Sequence, residues 1–315
     1  MRHALPFRLW VLCFDDATYE ILHKLALPQV HPILQRDFEN EDEQLSRAKA
    51  NRSQVEYYFT CTPSLIAYVL KNHLEVDTIT YLDADLFFFS NPSPIYEELG
   101  DGSVLIVGHR FPPHLSHLEK YGIYNVGLLS FRRDDVASRC LHWWRKQCLE
   151  WCYDRVENGR FADQKYLDDW PTRFPGVVVL KNKGAGLAPW NVANYSLRVD
   201  NRQVLVDSDR LIFFHFHGLR QPWKWLYDPG LAKYGVRANS KLKQNIYGPY
   251  IRELKKASYS LAQFADSYSV RMESIRGDMK GKRSCSVARK IKNQLSTIKM
   301  LLQGQLLLVV DEVVT

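Results

Sequence analysis

Two aspartates that follow a short apolar run are the first candidates for chemistry in this sequence. Residues 78–82 are apolar and β-prone, and Asp83 and Asp85 come directly after them. Side chains two residues apart in an extended chain project to the same side, so the two carboxylates are predicted to converge. Close carboxylates repel unless a cation lies between them, and Mg²⁺ or Mn²⁺ prefers oxygen ligands that it shares with substrate phosphates. The spacing therefore predicts a metal–diphosphate site.

A second triplet, Asp207-Ser208-Asp209, also follows an apolar run. Another apolar strand follows it at once, so this copy is predicted to be a hairpin turn. The spacing of the aspartates alone is therefore weak evidence, and the rest of the sequence must support the first copy.

A later apolar run ends in His215 and His217, which would share one face of a strand. A neutral imidazole could complete a metal shell begun by two carboxylates, and we favour His215 as that ligand. The alternative is a core histidine that donates to a backbone carbonyl. Gly218 would let the backbone approach a phosphate, and Arg220 and Lys224 could neutralise its charge.

Predicted strands alternate with predicted helices along the first two thirds of the chain, which favours an α/β domain with a largely parallel sheet. Ligands of open α/β sheets bind at the carboxyl ends of strands, where Asp83 and Asp85 would lie. The strands are predicted at residues 8–14, 78–82, 104–107, 126–131, 177–180, 204–206 and 211–216, and the helices at 17–27, 62–72, 134–154 and 161–169.

The composition changes near residue 230, so we predict a first domain over 1–230 and a basic helical extension over 231–315, with helices near 246–268 and 285–303. Residues 237–315 carry 15 Lys and Arg against 6 Asp and Glu, although the whole chain has a net charge of only +7. Such a tail could attract nucleic acid or an anionic membrane surface, or it could be a solvated helical face. It contains no recognisable nucleic-acid-binding module, so no nucleic acid is expected as a partner.

The lack of recognisable targeting signals and the pattern of the cysteines favour a cytoplasmic protein. No apolar run approaches the length of a membrane span, and the first residues lack the pattern of a signal peptide. The six cysteines contain no CxxC pair and are predicted to be buried, reduced thiols. A peripheral contact of the basic C-terminal tail with the inner face of a membrane is the membrane association we would expect.

The aspartate triplet together with the segment that starts at His215 resembles the GT-A glycosyltransferases. The resemblance is to the family of bacterial lipopolysaccharide galactosyltransferases and glycogenin, whose pattern is Asp-x-Asp and later His-Phe-x-Gly-x-x-Lys-Pro-Trp. It implies a Rossmann-like, mostly parallel mixed sheet flanked by helices, and Mn²⁺ (or Mg²⁺) held by Asp83, Asp85 and His215 against the diphosphate of a nucleotide sugar. The family lysine falls on Gln221 here, so Arg220 or Lys224 would have to supply its phosphate contact.

Two further segments resemble the same family. In residues 123–131, Asn125 and Gly127 match an Asn-x-Gly strand whose asparagine lines the donor-sugar pocket; the alternative is an ordinary buried strand. Asp163 and Gln164 match an Asp-Gln-x-x-Leu segment beside the anomeric carbon. A carboxylate there could stabilise an oxocarbenium-like transition state or orient an acceptor hydroxyl, and Asp163 could also cap a helix.

A glycine-rich segment, residues 184–191, ends in Trp190 and Asn191 and suits a loop on the acceptor or sugar side of a site. Trp190 would be a stacking platform, and the alternative is a tight connection between strands. His109 and Arg110 follow another predicted strand and would face the cleft, unless Arg110 forms a surface salt bridge.

The leading hypothesis is a metal-dependent glycosyltransferase of the hexosyltransferase type that moves a sugar from a nucleotide-diphosphate sugar to a glycan or glycolipid, with retention implied by the resemblance. The resemblance covers about residues 7–228, whereas the family has a strand and helix before that point that carry much of the nucleobase contact. A non-catalytic or inactive sugar-nucleotide binder is therefore an alternative. An Asp-x-Asp phosphohydrolase is disfavoured, because Phe87 stands where such enzymes carry Thr or Val.

Overall fold

A computed structural model of the chain describes residues 6–201, 203–262, 264, 307–310 and 313–314. Two compact units emerge from it. The first comprises Met1–Phe14 and Pro28–Phe216, and the second comprises Asp15–Leu27 and His217–Thr315. The predicted division at residue 230 stays a prediction.

The strands are β1 (Leu9–Cys13), β2 (Val30–Leu34), β3 (Thr78–Leu82), β4 (Leu86–Phe88), β5 (Val104–Gly108), β6 (Tyr124–Arg132), β7 (Val177–Leu180), β8 (Leu197–Asp200), β9 (Gln203–Val206), β10 (Asp209–Arg210), β11 (Phe213–His215), β12 (Arg220–Trp223), β13 (Leu226–Asp228), β14 (Leu307–Val310) and β15 (Val313–Val314). The helices are α1 (Asp16–Leu25), α2 (Gln35–Asn40), α3 (Glu43–Lys49), α4 (Gln54–Asn72), α5 (Ser93–Leu99), α6 (Asp135–Glu150), α7 (Trp170–Arg173), α8 (Ser240–Leu242) and α9 (Gly248–Ala262). Turns of 3-10 helix lie at Pro113–Tyr121, Gln164–Asp169, Val192–Asn194 and Leu231–Tyr234.

The first unit is built on a four-stranded sheet with the order β3-β6-β5-β7. The sheet is mixed, because β6 runs antiparallel to both of its neighbours while β5 and β7 are parallel. The unit also contains a parallel pair, β1 and β2, an antiparallel pair, β4 and β11, and a three-stranded sheet with the order β10-β9-β8. Helices α4 and α6 pack together beside a core that contains Phe131, Trp144 and Trp170, all buried. The predicted α/β class is thus confirmed.

Helix α4 begins earlier than predicted. Ser53 and Glu56 form a capping box, in which each side chain accepts a hydrogen bond from the other residue's backbone amide. This box satisfies amides that a helix start otherwise leaves without partners. The prediction that Thr62 and Pro63 start the helix is therefore wrong, and both residues lie buried inside it. Thr62 consequently faces the protein interior, where it contributes to the site described below.

The aromatic helix predicted over 134–154 is confirmed as α6, which Asp134 caps by accepting a hydrogen bond from the Ala137 amide. The shorter helix predicted over 161–169 is instead a 3-10 turn, Gln164–Asp169, that runs into α7.

The second aspartate triplet forms the predicted hairpin turn between β9 and β10, with Asp207 in the left-handed region at φ 56°. Its carboxylates are used locally. Asp207 accepts from the Ser196 amide at 2.9 Å and from Lys183 Nζ at 2.8 Å, and Asp209 accepts from the Lys183 amide at 2.9 Å. These contacts hold the turn against a neighbouring loop, so this triplet is structural.

The second unit contains α1, the hairpin β12–β13, and helices α8 and α9. Strand β13 also pairs with β14, and β14 pairs with β15. Helix α9 falls within the helix predicted over 246–268, whereas the helix predicted over 285–303 lies outside the described residues. Among the described residues, no helix has the length and apolarity that crossing a membrane requires. The five cysteines in the described part of the chain are buried and make no disulfide.

Candidate metal and substrate site

Backbone hydrogen bonds fix the positions of the first aspartate pair. Beyond the end of β3, the Asp83 amide still donates to the Gly127 carbonyl of β6 at 2.9 Å. Just before β4, the Asp85 carbonyl accepts from the Phe216 amide at 2.8 Å. Because β4 pairs with β11, this second bond places Asp85 beside His215, the last residue of β11. Two strand pairings therefore bring both carboxylates to one imidazole.

His215 lies close to both aspartates. The His215 Nε2 atom lies 2.9 Å from Asp85 Oδ1 and 3.7 Å from Asp83 Oδ2. The imidazole is buried, whereas the two carboxylates keep 34% and 41% of their side-chain area exposed, which leaves the cluster open to solvent on one side. Adjacent ligands of an octahedral cation with bonds of about 2.1 Å lie about 3 Å apart, so Asp85 and His215 have a spacing at which both could hold a divalent cation, and Asp83 lies somewhat farther from the imidazole.

The electrostatics of the cluster also suit a cation. Burial raises the pKa of the Asp83 carboxyl, and the nearby Asp85 charge adds to this, although His215 and a hydrogen bond from Tyr81 act in the opposite direction. A divalent cation between the carboxylates would offset both their mutual repulsion and their partial loss of hydration.

The close packing of the His215 ring and of Asn125 against β6 leaves no room for a side chain at Gly127. A Cβ atom on this residue would lie 2.6 Å from Asn125 Oδ1 and 2.8 Å from both Nδ1 and Cε1 of His215. The Asn125 Oδ1 atom accepts a hydrogen bond from the Gly127 amide at 2.8 Å, which holds the asparagine against the same backbone. The Asn-x-Gly pattern therefore has a structural reason here: with no side chain at Gly127, the His215 ring and the Asn125 side chain can both pack against that part of β6.

We expect Gly127→Ala to displace His215, to raise the dissociation constant for Mn²⁺ at least about tenfold and to destabilise the fold by about 1–3 kcal/mol. Calorimetric titration with Mn²⁺ and denaturant unfolding would measure the two effects. Gly108→Ala on β5 is the matched control, because a Cβ there meets Arg110 Cγ at an ordinary 3.5 Å. Equal Mn²⁺ affinities for the two variants would contradict the assignment of His215 as a ligand of the cation.

An aromatic wall lies next to the imidazole. The Trp190 ring contacts His215 edge-on at 5.3 Å between ring centroids and His109 at 5.2 Å, and His109 stacks on Phe111 at 4.7 Å. Trp190 is only 5% exposed, so it serves mainly as packing behind the histidines. A small cleft opens along this wall, lined by Val107, Gly108, Asn125, Leu128, Gly186, Trp190, Phe213 and His215.

Asn191 is buried, and its side-chain amide hydrogen-bonds to three nearby backbone groups. Its Nδ2 donates to the carbonyls of His109 and Gly186, both at 2.9 Å, and its Oδ1 accepts from the Ala188 amide at 3.0 Å. These contacts tie the glycine-rich loop to the end of β5. They agree with the structural alternative, a tight connection, and leave the predicted sugar contact of Asn191 a prediction.

Arg110 is largely buried and binds the same loop. Its guanidinium donates to the carbonyls of Asn182, at 3.2 Å, and Ala185. Burial lowers its pKa. The alternative of a surface salt bridge is therefore wrong, and Arg110 acts as a tie between β5 and the glycine-rich loop.

Asp163 and Gln164 lie at the start of the 3-10 turn. Asp163 is 4% exposed, and its side chain makes no capping hydrogen bond to the turn, so the alternative role of a cap is not observed. Burial, with the Asp83 charge as the next cause, raises the pKa of Asp163 to about 8. Gln164 Nε2 donates to the Tyr121 carbonyl at 2.9 Å. Asp163 is thus a buried acid within the electrostatic reach of the aspartate cluster.

Two contributors to this cluster were not recognised in the sequence. The Tyr81 hydroxyl donates to Asp83 Oδ1 at 2.9 Å, and the Thr62 hydroxyl, which donates to the Tyr58 carbonyl at 3.4 Å, lies close enough to Tyr81 and Asp163 to oppose the rise that burial causes in the pKa of both. Tyr81 carried a usable signal, since it precedes Asp83 by two residues and shares its face of the strand. Thr62 carried no such sequence signal, because only the folded chain brings α4 next to β3.

The remaining predicted phosphate contacts belong to the second unit. Gly218 adopts φ +78°, and a Cβ there would meet nothing within 4 Å. The Arg220 guanidinium is paired with Asp228 at 2.6 Å, and Lys224 lies in the turn between β12 and β13. The roles of all three toward a phosphate stay predictions.

Fold and site together define an α/β protein with two carboxylates and an imidazole gathered at strand ends. The chain belongs to the same family as the proteins YfnD and YfnF of Bacillus subtilis (strain 168), both described as uncharacterized. It is 32% identical to YfnD over 273 residues, which cover 84% of this chain and 86% of YfnD. It is 36% identical to YfnF over 220 residues, which cover 67% of this chain and 72% of YfnF. No protein-family profile matches the chain.

Solved structures similar to this chain include two transferases at low sequence identity. One is a glycosyltransferase involved in the glycosylation of the major capsid of PBCV-1, with a TM-score of 0.39, 11% identity, and coverage of 68% of this chain and 94% of that chain. The other is mouse xyloside xylosyltransferase 1 in its apo form, with a TM-score of 0.40, 16% identity, and coverage of 69% and 88%.

Proposed function

We propose that the protein is a metal-dependent glycosyltransferase that moves a sugar from a nucleotide-diphosphate sugar to a glycan or glycolipid acceptor. The observation that carries this proposal is the approach of His215 Nε2 to the carboxylates of Asp85 and Asp83, at 2.9 and 3.7 Å. The motif resemblance to GT-A glycosyltransferases supports it from the sequence.

The aspartate pair and His215 would hold Mn²⁺ or Mg²⁺. The bound ion would supply Lewis-acid stabilisation of the negative charge that develops on a leaving diphosphate. The protein contributes the geometry: backbone hydrogen bonds anchor Asp83 to β6 and Asp85 to Phe216, the residue after β11, and the imidazole is packed against Gly127 and Trp190. Preorganised ligands of this kind need little rearrangement when substrate binds.

The donor sugar would lie on the solvent-exposed side of the aspartate cluster. Asn125, whose Nδ2 atom lies 3.3 Å from His109 Nε2, would contact the sugar from the edge of the small cleft beside the imidazole. Asp163, when ionised, would stabilise positive charge on the anomeric carbon or orient an acceptor hydroxyl. Gln164 would help to place that segment, and retention of configuration follows from the family resemblance.

A donor screen tests the proposal. The full chain would be mixed with MnCl₂ and a panel of UDP- and GDP-sugars, with binding followed by thermal shift. Release of nucleoside diphosphate from the bound donors would then be followed with and without candidate acceptor glycans. We expect binding and turnover of at least one donor, both abolished by EDTA. Binding without any release of diphosphate would favour a non-catalytic sugar-nucleotide binder, and no binding of any donor would refute the proposal.

A further inference from the structure

The hydrogen bond between Tyr81 and Asp83 controls which carboxylate oxygen faces the imidazole. The Tyr81 hydroxyl donates to Oδ1 of Asp83 at 2.9 Å, and the other oxygen, Oδ2, lies 3.7 Å from His215 Nε2. The phenol therefore holds one oxygen on the protein side of the carboxylate while the second is turned toward the cluster. Without this bond, the carboxylate would be able to rotate about its Cβ–Cγ bond.

Tyr81 is itself held by two elements. Its backbone lies in β3 opposite Leu129 of β6, and its hydroxyl lies next to the buried Thr62 of α4. Thr62 is placed there by the helix that continues through Pro63. The phenol is therefore fixed by both the sheet and a helix, and it transmits that fixed position to Asp83.

We propose that Tyr81 is a positioning residue for the cation site, acting through Asp83 rather than on the cation or the substrate. This inference rests on the proposed metal-dependent function. Residues that hydrogen-bond to metal ligands orient those ligands, and their loss typically lowers metal affinity or activity by about 10–100-fold. Because Tyr81 contacts only one of the three candidate ligands, its loss should weaken cation binding without abolishing it.

Tyr81→Phe tests the role, since it removes one hydroxyl and keeps the ring. The full chain would be titrated with Mn²⁺ in a calorimeter at neutral pH, and its thermal unfolding would be followed separately in EDTA. We expect the dissociation constant for Mn²⁺ to rise at least about tenfold. Tyr166→Phe is the matched control, because it also removes a buried hydroxyl, one that donates to the Trp151 carbonyl at 2.7 Å.

The outcomes separate this inference from the proposed function. If Tyr81→Phe binds Mn²⁺ within twofold of wild type, or if Tyr166→Phe weakens binding equally, the positioning role is overturned while the metal site stands. If wild-type protein binds no Mn²⁺, the proposed metal-dependent function fails, and the positioning role fails with it. A loss of affinity in Tyr81→Phe alone, with both variants folded, would establish the role.

Discussion

Asp85→Asn is expected to abolish cation binding and to lower the rate of sugar transfer about 10³-fold or more, which corresponds to several kcal/mol of transition-state stabilisation. The substitution removes one of two negative charges and leaves an amide 2.9 Å from His215 Nε2, where the carboxylate now lies. The Asp85 side chain is 41% exposed, so the fold should survive the change. Thermal unfolding in EDTA would verify that it does.

The chain supplies its own control for this experiment. Asp209→Asn changes the corresponding residue of the second aspartate triplet, where the carboxylate accepts a hydrogen bond from the Lys183 amide. An asparagine oxygen can accept the same bond, so transfer activity and Mn²⁺ affinity should match those of wild type. An Asp85→Asn protein that keeps more than a tenth of wild-type activity would contradict the assignment of Asp85 as a metal ligand.

Asp163→Asn is expected to make the protein more stable at neutral and alkaline pH while impairing transfer. The folded protein keeps a proton on Asp163 up to a pKa of about 8, whereas the unfolded chain loses it near 3.8. The stability from this buried, protonated acid is complete below about pH 4 and is lost as the pH rises through 8. Across that interval, stability should fall with rising pH by up to about 1.4 kcal/mol per unit.

Denaturant unfolding of wild type and Asp163→Asn between pH 5 and 9, with EDTA present, would measure this effect. The advantage of the variant should grow with pH and level off above about 8. Transfer activity, if Asp163 stabilises the transition state, should fall about 10²–10³-fold, as for the loss of one preorganised electrostatic group. A stability difference that does not change with pH would show that burial does not hold this carboxyl protonated.

Strand periodicity drew attention to Asp83 and Asp85, but the structure places them differently from the predicted extended chain: β3 ends at Leu82, and Asp85 lies in a turn before β4. The strands that flank each aspartate triplet are what distinguish the two copies. The hairpin at Asp207 confirmed that distinction. His215 was predicted as a partner of the aspartates, whereas the pairing of β4 with β11 that brings it to Asp85 was not predicted.

The supporting residues could not be predicted, because their roles depend on contacts between distant segments. Proline within a helix is unfavourable, so Pro63 suggested a helix start, but the capping box at Ser53 and burial of the helix face outweigh that preference. Asn191 had the residue type of a sugar ligand, yet the fold directs its amide to three backbone groups. Nothing local in the sequence marks Thr62 as a neighbour of Tyr81.

The central claim is that Asp83, Asp85 and His215 hold a cation that binds the diphosphate of the donor. Calorimetric titration of UDP and of GDP into the full chain, once with saturating Mn²⁺ and once with EDTA, tests it most directly. We expect at least one of the two nucleotides to bind one to one in the presence of Mn²⁺ and to bind at least about 100-fold more weakly in EDTA, a difference of about 2.7 kcal/mol. Equal affinity in Mn²⁺ and EDTA, or no binding in either, would contradict the claim.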